Sequence, residues 1–393
     1  MDTLTRRFAD RLERAGLCPP GEALVADWDD VVRFSRPDPL APVLVEVMER
    51  LGVGSLMLVP PAEPYATIVE WLAAREAPAI RPRDCETRTF FHDIPVVATP
   101  SAEALAAALS RRKGAYLPGH GILAPGALSP EQAFVTVSSV AFAAFVKFFS
   151  DFLRQAREGG IDASGRAVLA RAVANLPPAP PEKSPVLARG PFGSRGEAVA
   201  AMAEAGRATV ELGLVDSVFG NISYNLEGVL AISQTGAALD ALEGCIDFCP
   251  LDGSSCAGLT ASSELAAHAA LARCDGRRAI LHGHPRFAVI WSMDCDASDC
   301  PDRENCHVRC PRSRFLGATP IVPGEVGAGP HGLVHTMPPA LVGRSGVVVL
   351  GHGVFTAGRE DFNQALAALC AIERQAREAC LGALSPLLDP ALG

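Results

Sequence analysis

The sequence predicts a mixed α/β protein built as two related halves, and three observations predict it. Strand, Gly-His-Gly turn, strand and helix occur twice, first in GAYLPGHGILAPG (Gly114 to Gly126) and again in GVVVLGHGVFTAG (Gly346 to Gly358), each followed by a long apolar helical stretch. Between the repeats lies LPPAPPEKSPVLARGP (residues 176–191); proline lacks the backbone donor and clashes with the preceding turn, so this run sustains neither a helix nor a central strand. A length of 393 residues exceeds one ordinary domain and suits two, each able to bury its own core.

The expected organisation is a domain over residues 1–178, a proline-rich linker over 179–191 and a second domain over 192–393. Upstream of the turns, VEVMERLGVGSLMLVPPAEPYATIV can be laid against ELAAHAALARCDGRRAILHGHPRFAVI, pairing Pro64 with Pro285. In that pairing Pro61 and Glu63 fall where His282 and His284 stand, so the first half reads as a copy without a metal site, although His120 survives in its turn. Seven of the nine histidines lie in the second half, which is where chemistry is expected.

In the first half, Ala133 to Leu153 is long and apolar, but Ser138, Ser139, Lys147 and Asp151 interrupt it, so it reads as a buried or interface helix and not as a membrane span. The second half reads in order as a helix near 194–212, short strands around Asn221 and Val229, a helix near 262–273, a strand into His282 and a helix from Pro285. A Cys-rich insertion follows, then a strand near 319–322, a helix near 337–342, a strand over 346–350 and a final helix.

An apolar fraction of 49% with 20% charged residues fits a soluble globular protein, and a net charge of -9 disfavours broad binding to nucleic acid or anionic membranes. A small-molecule substrate is the expectation. The opening MDTLTRRFADRLERAG lacks the apolar core of a signal peptide, so a cytoplasmic setting is expected, in which the 12 cysteines are reduced thiols or metal ligands.

His282 and His284 follow an apolar strand at i, i+2, so their side chains share a face. Two imidazoles suit Zn²⁺ or a similar borderline divalent metal, and a catalytic zinc takes three protein ligands with one position left open. His352, in a Gly-flanked turn after VVVL, is the candidate third ligand. The plain alternative is a hydrogen-bonded pair of surface histidines. In the insertion MDCDASDCPDRENCHVRCP, Cys295, Cys300, Cys306 and Cys310 are spaced C-x4-C-x5-C-x3-C with His307 among them. This is a candidate second centre, zinc or iron–sulfur, against unligated thiols in an acidic loop. Cys245, Cys249 and Cys256 form a looser group read as packing or free thiols.

Five motifs in one order, FGNIS (Phe219 to Ser223), ISQTG (Ile232 to Gly236), TASSELAAH (Thr260 to His268), HGHP (His282 to Pro285) and GHGVFTAG (Gly351 to Gly358), make the second half resemble the class II aldolase/adducin family. That family includes fuculose-phosphate aldolases. The resemblance implies an α/β/α sandwich with a mainly antiparallel central sheet, here occurring twice, and a homo-oligomer. It implies metal ligation by His282, His284 and His352, and phosphate binding by Asn221, Ser223, the Thr235-Gly236 turn, Ser262 and Ser263, where donors and a helix N-terminus would surround an anion. It makes Glu264 the carboxylate that ligates the resting metal and then moves a proton. Ser262 and Ser263 also read as plain helix N-caps, and His268 as a packed or hydrogen-bonded helix residue.

The implied activity is metal-dependent carbon–carbon cleavage of a phosphorylated ketose or related hydroxy-carbonyl compound through a metal-stabilised enediolate. A sugar-phosphate dehydratase or epimerase on the same scaffold, and a non-catalytic adducin-like scaffold or sensor, are the alternatives. One departure bears on the choice. Family aldolases commonly protonate the leaving aldehyde with a tyrosine, but Tyr65, Tyr116 and Tyr224 all lie outside the segment between HGHP and GHG, where His331 and His335 stand.

Overall fold

The structure is a computed structural model that describes residues 3–388 except 216–217, 256–257, 275, 298 and 303–304. It divides into two units, one running to Pro177 and taking in the last residues from Leu384, the other spanning Pro178 to Ala383.

The first unit begins with helix α1 (Thr3–Arg14), then β1 (Leu24–Trp28), β2 (Val32–Phe34), α2 (Ala41–Leu51), β3 (Ser55–Val59) and α3 (Tyr65–Glu76). It continues through β4 (Ala79–Ile80), α4 (Cys85–Phe91), β5 (Ile94–Pro95), α5 (Ala102–Leu109), β6 (Ala115–Leu117), β7 (Gly121–Gly126), α6 (Pro130–Glu158) and α7 (Ala163–Ala174). Its main sheet has the order β2-β1-β3-β7-β6, antiparallel throughout. Helix α6 carries the apolar run noted in the sequence. The most apolar window of α6 is 94% buried inside the protein, so this is a core helix, and Lys147 sits in it because Glu76 (2.7 Å) and Asp151 (2.9 Å) neutralise it.

The second unit holds α8 (Arg195–Glu211), β8 (Asn221–Leu226), β9 (Val229–Ser233), β10 (Ile246–Pro250), α9 (Leu265–Ala272), β11 (Ala279–Gly283) and α10 (Arg286–Met293). After the Cys-rich loop come β12 (Arg314–Leu316), β13 (Thr319–Val322), α11 (Leu333–Leu341), β14 (Gly346–Val349), β15 (Gly353–Gly358) and α12 (Asn363–Leu388). The eight strands run β10-β9-β8-β11-β15-β14-β13-β12, and only β13–β14 is parallel. On one face Ile280, Phe355, Val347 and Val349 pack with residues of α9 and α11 into a core; on the other, Gly283 and Gly346 let Leu369 and Ile372 of α12 approach the sheet. This is the mixed α/β, mainly antiparallel arrangement the sequence predicts.

Three details differ from the sequence reading. Strands β10 and β12 were not expected; both are outermost, short, and carry polar or exposed residues such as Asp247 and Phe315, which blurs their apolar alternation. Helix α11 starts four residues earlier than expected, at Leu333, and contains Pro338 and Pro339. The proline-rich segment is docked, not free: Leu187 N–H donates to Asn363 Oδ1 (2.8 Å), Gly190 N–H to Asp361 Oδ2 (3.2 Å), and the Pro181 carbonyl accepts from Arg374 (2.6 Å).

Considered separately, the two units share a connectivity. The order β2-β1-β3-β7-β6 repeats as β9-β8-β11-β15-β14, and Ser55–Val59 pairs with Gly126–Ile122 in the register by which Ala279–Gly283 pairs with Gly358–Val354. In both turns the histidine N–H donates three residues back, His120 to Leu117 (3.0 Å) and His352 to Val349 (3.1 Å). A β-carbon at Gly121 would strike the Val59 carbonyl, just as one at Gly353 would strike that of Gly283. By this register Leu58 and Pro60, not Pro61 and Glu63, stand where His282 and His284 do. The sequence pairing slipped because residues 60–64 connect β3 to α3, whereas residues 284–285 connect β11 to α10.

Candidate metal centre

The centre is assembled from four connections on one face of the second sheet. The apolar run Ala279–Leu281 makes β11 a fully buried strand, and cross-strand pairing sets His282 between Asn221 of β8 and Phe355 of β15. His284 follows at the strand's end, where Pro285 stops the ladder and opens α10. His352 comes from the tight turn after β14, in which Gly351 has φ +66°. Glu264 is the residue immediately before α9. Gly353 admits no side chain, because a β-carbon there would lie 2.6 Å from the Gly283 carbonyl oxygen and 2.8 Å from His282 Cε1.

The three imidazoles and the carboxylate meet in one buried place. His282 Nε2 lies 2.9 Å from His284 Nε2, 3.3 Å from His352 Nε2 and 3.3 Å from Glu264 Oε2; His352 Nε2 lies 3.1 Å from Glu264 Oε1. His282 donates Nδ1–H to the Val354 carbonyl (3.0 Å), which leaves the Nε2 lone pair facing its neighbours. Phe355 stacks on the same ring at 4.0 Å and fixes its plane. Burial drives His282 down to about 4 and His284 further below its ordinary value, against the pull of Glu264, so both are neutral at physiological pH. Burial alone would raise Glu264, but the His282 and His352 imidazoles and the Asn221 amide outweigh it and hold the carboxyl below its usual range.

This donor set fits a borderline divalent cation. Ligands about 2.0–2.1 Å from a tetrahedral metal stand roughly 3.3 Å from one another, close to the spacings here. Glu264 Oε1 is buried and no aligned N–H reaches it, His352 included, despite the 3.1 Å approach. A cation would satisfy that oxygen and the facing lone pairs together. Among the described residues, His282, His284 and His352 are the group of three potential ligands whose donor atoms lie within 4.8 Å of one another.

Behind the carboxylate runs a buried relay. Asn221 donates Nδ2–H to Glu264 Oε2 (2.6 Å) and accepts from His268 Nε2–H, while Ser223 Oγ–H donates to His268 Nδ1 (2.7 Å). Burial pushes His268 down to about 3, so it acts as a neutral hydrogen-bonding link. Asn221 therefore touches the cluster, whereas Ser223 reaches it only through His268 and Asn221. Ser262 Oγ accepts from Glu264 N–H (3.3 Å) in a turn that sets the carboxylate's position. Thr235, Gly236 and Ser263 are exposed; Thr235 bonds the Thr260 and Ala261 backbone, so the two turns lie side by side at the start of α9.

The remaining candidates stand apart. His331 and His335 are exposed. The second unit's one tyrosine, Tyr224, is fully buried, accepts from Phe192 N–H (3.0 Å) and donates to the Glu360 carbonyl (2.8 Å). Cys295, Cys300, Cys306 and Cys310 are half-buried in the loop after α10 without meeting the 4.8 Å grouping. Cys249 is buried and Cys245 half-buried, while Cys256 lies outside the described residues. Two contributors escaped the sequence reading, Phe355 and the Val354 carbonyl. The alternation of GVFTAG in register with β11 is the signal that places both against His282.

The fold and this cluster define an α/β domain with a buried three-histidine, one-carboxylate centre of the kind that holds a catalytic divalent metal. Residues 200–380 match the family described as Class II Aldolase and Adducin N-terminal domain, and the second unit belongs to that family. Similar solved structures include the L-fuculose-1-phosphate aldolase of Thermus thermophilus, 22% identical over 49% of this chain and 98% of that one with a TM-score of 0.39. A sugar-phosphate aldolase of Thermotoga maritima is 19% identical over 50% of this chain and 98% of its own, with a TM-score of 0.36. The L-fuculose 1-phosphate aldolase of Glaciozyma antarctica is 18% identical over 54% and 80%, at a TM-score of 0.35. At such scores these likenesses add nothing to the family match. No curated protein matches the chain.

Proposed function

We propose that the second unit is a metal-dependent carbon–carbon lyase that cleaves a phosphorylated ketose, or a related hydroxy-carbonyl compound, by retro-aldol chemistry. The observation that supports it is Glu264, held by Asn221 at 2.6 Å and placed among His282, His284 and His352 in one buried cluster. A bound zinc or similar cation would supply Lewis acidity to a carbonyl oxygen as charge develops there. Glu264 is the group of this chain that moves the proton, and the Asn221–His268–Ser223 relay fixes its orientation. The exposed Thr235-Gly236 turn and Ser263, beside the first turn of α9, take the substrate phosphate with Asn221, and Ser262 sets the turn between them.

A second reading has a specific observation behind it. Tyr224, bonded to backbone on both sides of its hydroxyl, is not available to protonate a leaving aldehyde, which favours dehydration, where Glu264 alone would take the proton from carbon and return it to the departing hydroxyl. The first unit is best read as a degenerate copy. Its counterparts of Asn221, Glu264, His268, His282 and Phe355 are Leu24, Leu40, Leu44, Leu58 and Leu123, four of them buried in that unit's core and Leu40 packed against it, so these positions offer no metal ligand. The role proposed for this unit is assembly in a cytoplasmic homo-oligomer.

Turnover of ketose 1-phosphates to dihydroxyacetone phosphate and an aldehyde tests the proposal. The activity should vanish with a chelator, return with zinc, and fall about 10²–10⁴-fold in Glu264→Gln, the range typical of losing a general acid–base. Loss of water without cleavage would move the assignment to the second reading. No turnover by the metal-loaded protein, or an unaffected Glu264→Gln, would defeat both.

A further inference from the structure

The loop between α10 and β12 is a structural problem that the catalytic cluster does not solve. Residues 294–313 stand where the first unit has only residues 77–78 between α3 and β4. Between Ser292 and Leu316 no described side chain is buried, and the loop's apolar content beyond cysteine is Ala297, Pro301, Val308 and Pro311. So long a segment without a core needs a staple to hold one conformation. All four cysteines are half-buried, as are Asp294, Ala297, Asp302, His307 and Val308, while Asp296, Asp299, Asn305, Arg309 and Arg312 are exposed.

The backbone brings the ends of the loop together. Arg314 donates to the Ser292 (2.5 Å) and Asp294 carbonyls, closing the base, and Arg312 reaches from the far end to Asp296 (2.7 Å) and to Cys295 Sγ (3.8 Å). A single turn over residues 305–309 carries Cys306, and Gly324 N–H donates to the His307 carbonyl (2.8 Å), tying that turn to the end of β13. Burial first, then Cys310 and Cys295 against the opposing pull of Arg314, pushes the Cys306 thiol up.

We propose that Cys295, Cys300, Cys306 and Cys310 bind one zinc ion through four thiolates, as a closed structural site that folds this loop. Each thiol gives up its proton on binding, four in all, and the cation removes the repulsion among the sulfurs. Arg312, 3.8 Å from Cys295 Sγ, then supplies an N–H donor, and Arg314 adds positive charge beside Cys306, as a doubly negative tetrathiolate centre requires around it. Zinc fits better than an iron–sulfur cluster, because the spacing C-x4-C-x5-C-x3-C follows no ferredoxin pattern and the loop provides no apolar shell. The site lies near the catalytic centre: Ser292, at the loop's base, accepts from Gly351 N–H (2.8 Å), the residue before His352.

The test is metal analysis of the anaerobically purified, zinc-reconstituted full chain. Wild type should hold two equivalents of zinc; Cys306→Ser/Cys310→Ser and His282→Ala/His284→Ala should each hold one, lost from different places. On wild type, p-mercuribenzoate should release one equivalent while the other stays bound, a readout that does not depend on either variant folding and that survives failure of the lyase assignment. Wild-type zinc content in the cysteine variant, iron with acid-labile sulfide, no zinc released by the mercurial, or fewer than 12 free thiols after denaturation without reductant would each overturn the proposal.

Discussion

Gly353→Ala should cripple metal binding without removing a single ligand. The added methyl would begin 2.6 Å from the Gly283 carbonyl oxygen, 2.8 Å from His282 Cε1 and 3.1 Å from His284 Cδ2. Carbon atoms in contact settle at about 3.5 Å or more, so the His282 ring must retreat by about 0.7 Å, and the contact with backbone leaves no flexible neighbour to absorb the strain. Metal sites tolerate ligand displacements of about 0.2 Å, so zinc affinity should fall at least 10–100-fold, with an overpacking cost of about 1–3 kcal/mol to the second unit. Gly121→Ala makes the equivalent collision with Val59 in the first unit and is the control: it should cost stability and leave zinc affinity within twofold. Calorimetric zinc titration of the metal-free proteins, with urea unfolding of the same samples, measures both quantities. If Gly353→Ala binds zinc as wild type does, the histidines are not held where this geometry has them.

Two further expectations separate stability from chemistry. Leu58→Ala, at the position equivalent to His282, should cost about 2–5 kcal/mol by opening a cavity in the first unit's core while zinc binding is unchanged; a change in zinc stoichiometry would contradict the core role of Leu58. Glu373 of α12 accepts from Phe287 N–H (3.0 Å) and Ala288 N–H (2.9 Å) in the first turn of α10, and burial pushes its carboxyl up to about 7. Because that value lies above the unfolded one, its contribution to stability is complete below about pH 4.5 and is lost as pH rises through about 7, a swing of about 3 kcal/mol. Glu373→Gln should remove that slope, so that its urea midpoint relative to wild type rises from pH 5 to pH 8; parallel curves would refute the assignment.

Much of the site was readable in the sequence because its residues sit on short, strongly patterned stretches. RRAILHGHP is an apolar strand ended by proline, and VVVLGHG is another ended by glycine, so both fix where histidines point before any tertiary contact is known. The residues behind them were not readable at the same depth. Ser223 shares a face with Asn221, but only the packing of α9 over β8 shows that its hydroxyl is spent on His268. Glu373 lies 86 residues from Phe287, and no local pattern marks a carboxylate that will cap another helix. The resemblance of the halves was visible in the Gly-His-Gly turns, yet the pairing through Pro64 and Pro285 slipped by three residues, since prolines mark where strands stop and not how long the connection is. Strand register, set by hydrogen bonds between distant segments, supplies what the prolines do not.

Anomalous diffraction at the zinc edge from crystals of the zinc-reconstituted full chain tests the central claim most directly. The account predicts a peak enclosed by the Nε2 atoms of His282, His284 and His352, within coordination reach of Glu264. Refined histidine rings clear of any anomalous density, with His284 and His352 hydrogen-bonded to protein groups instead, would contradict it.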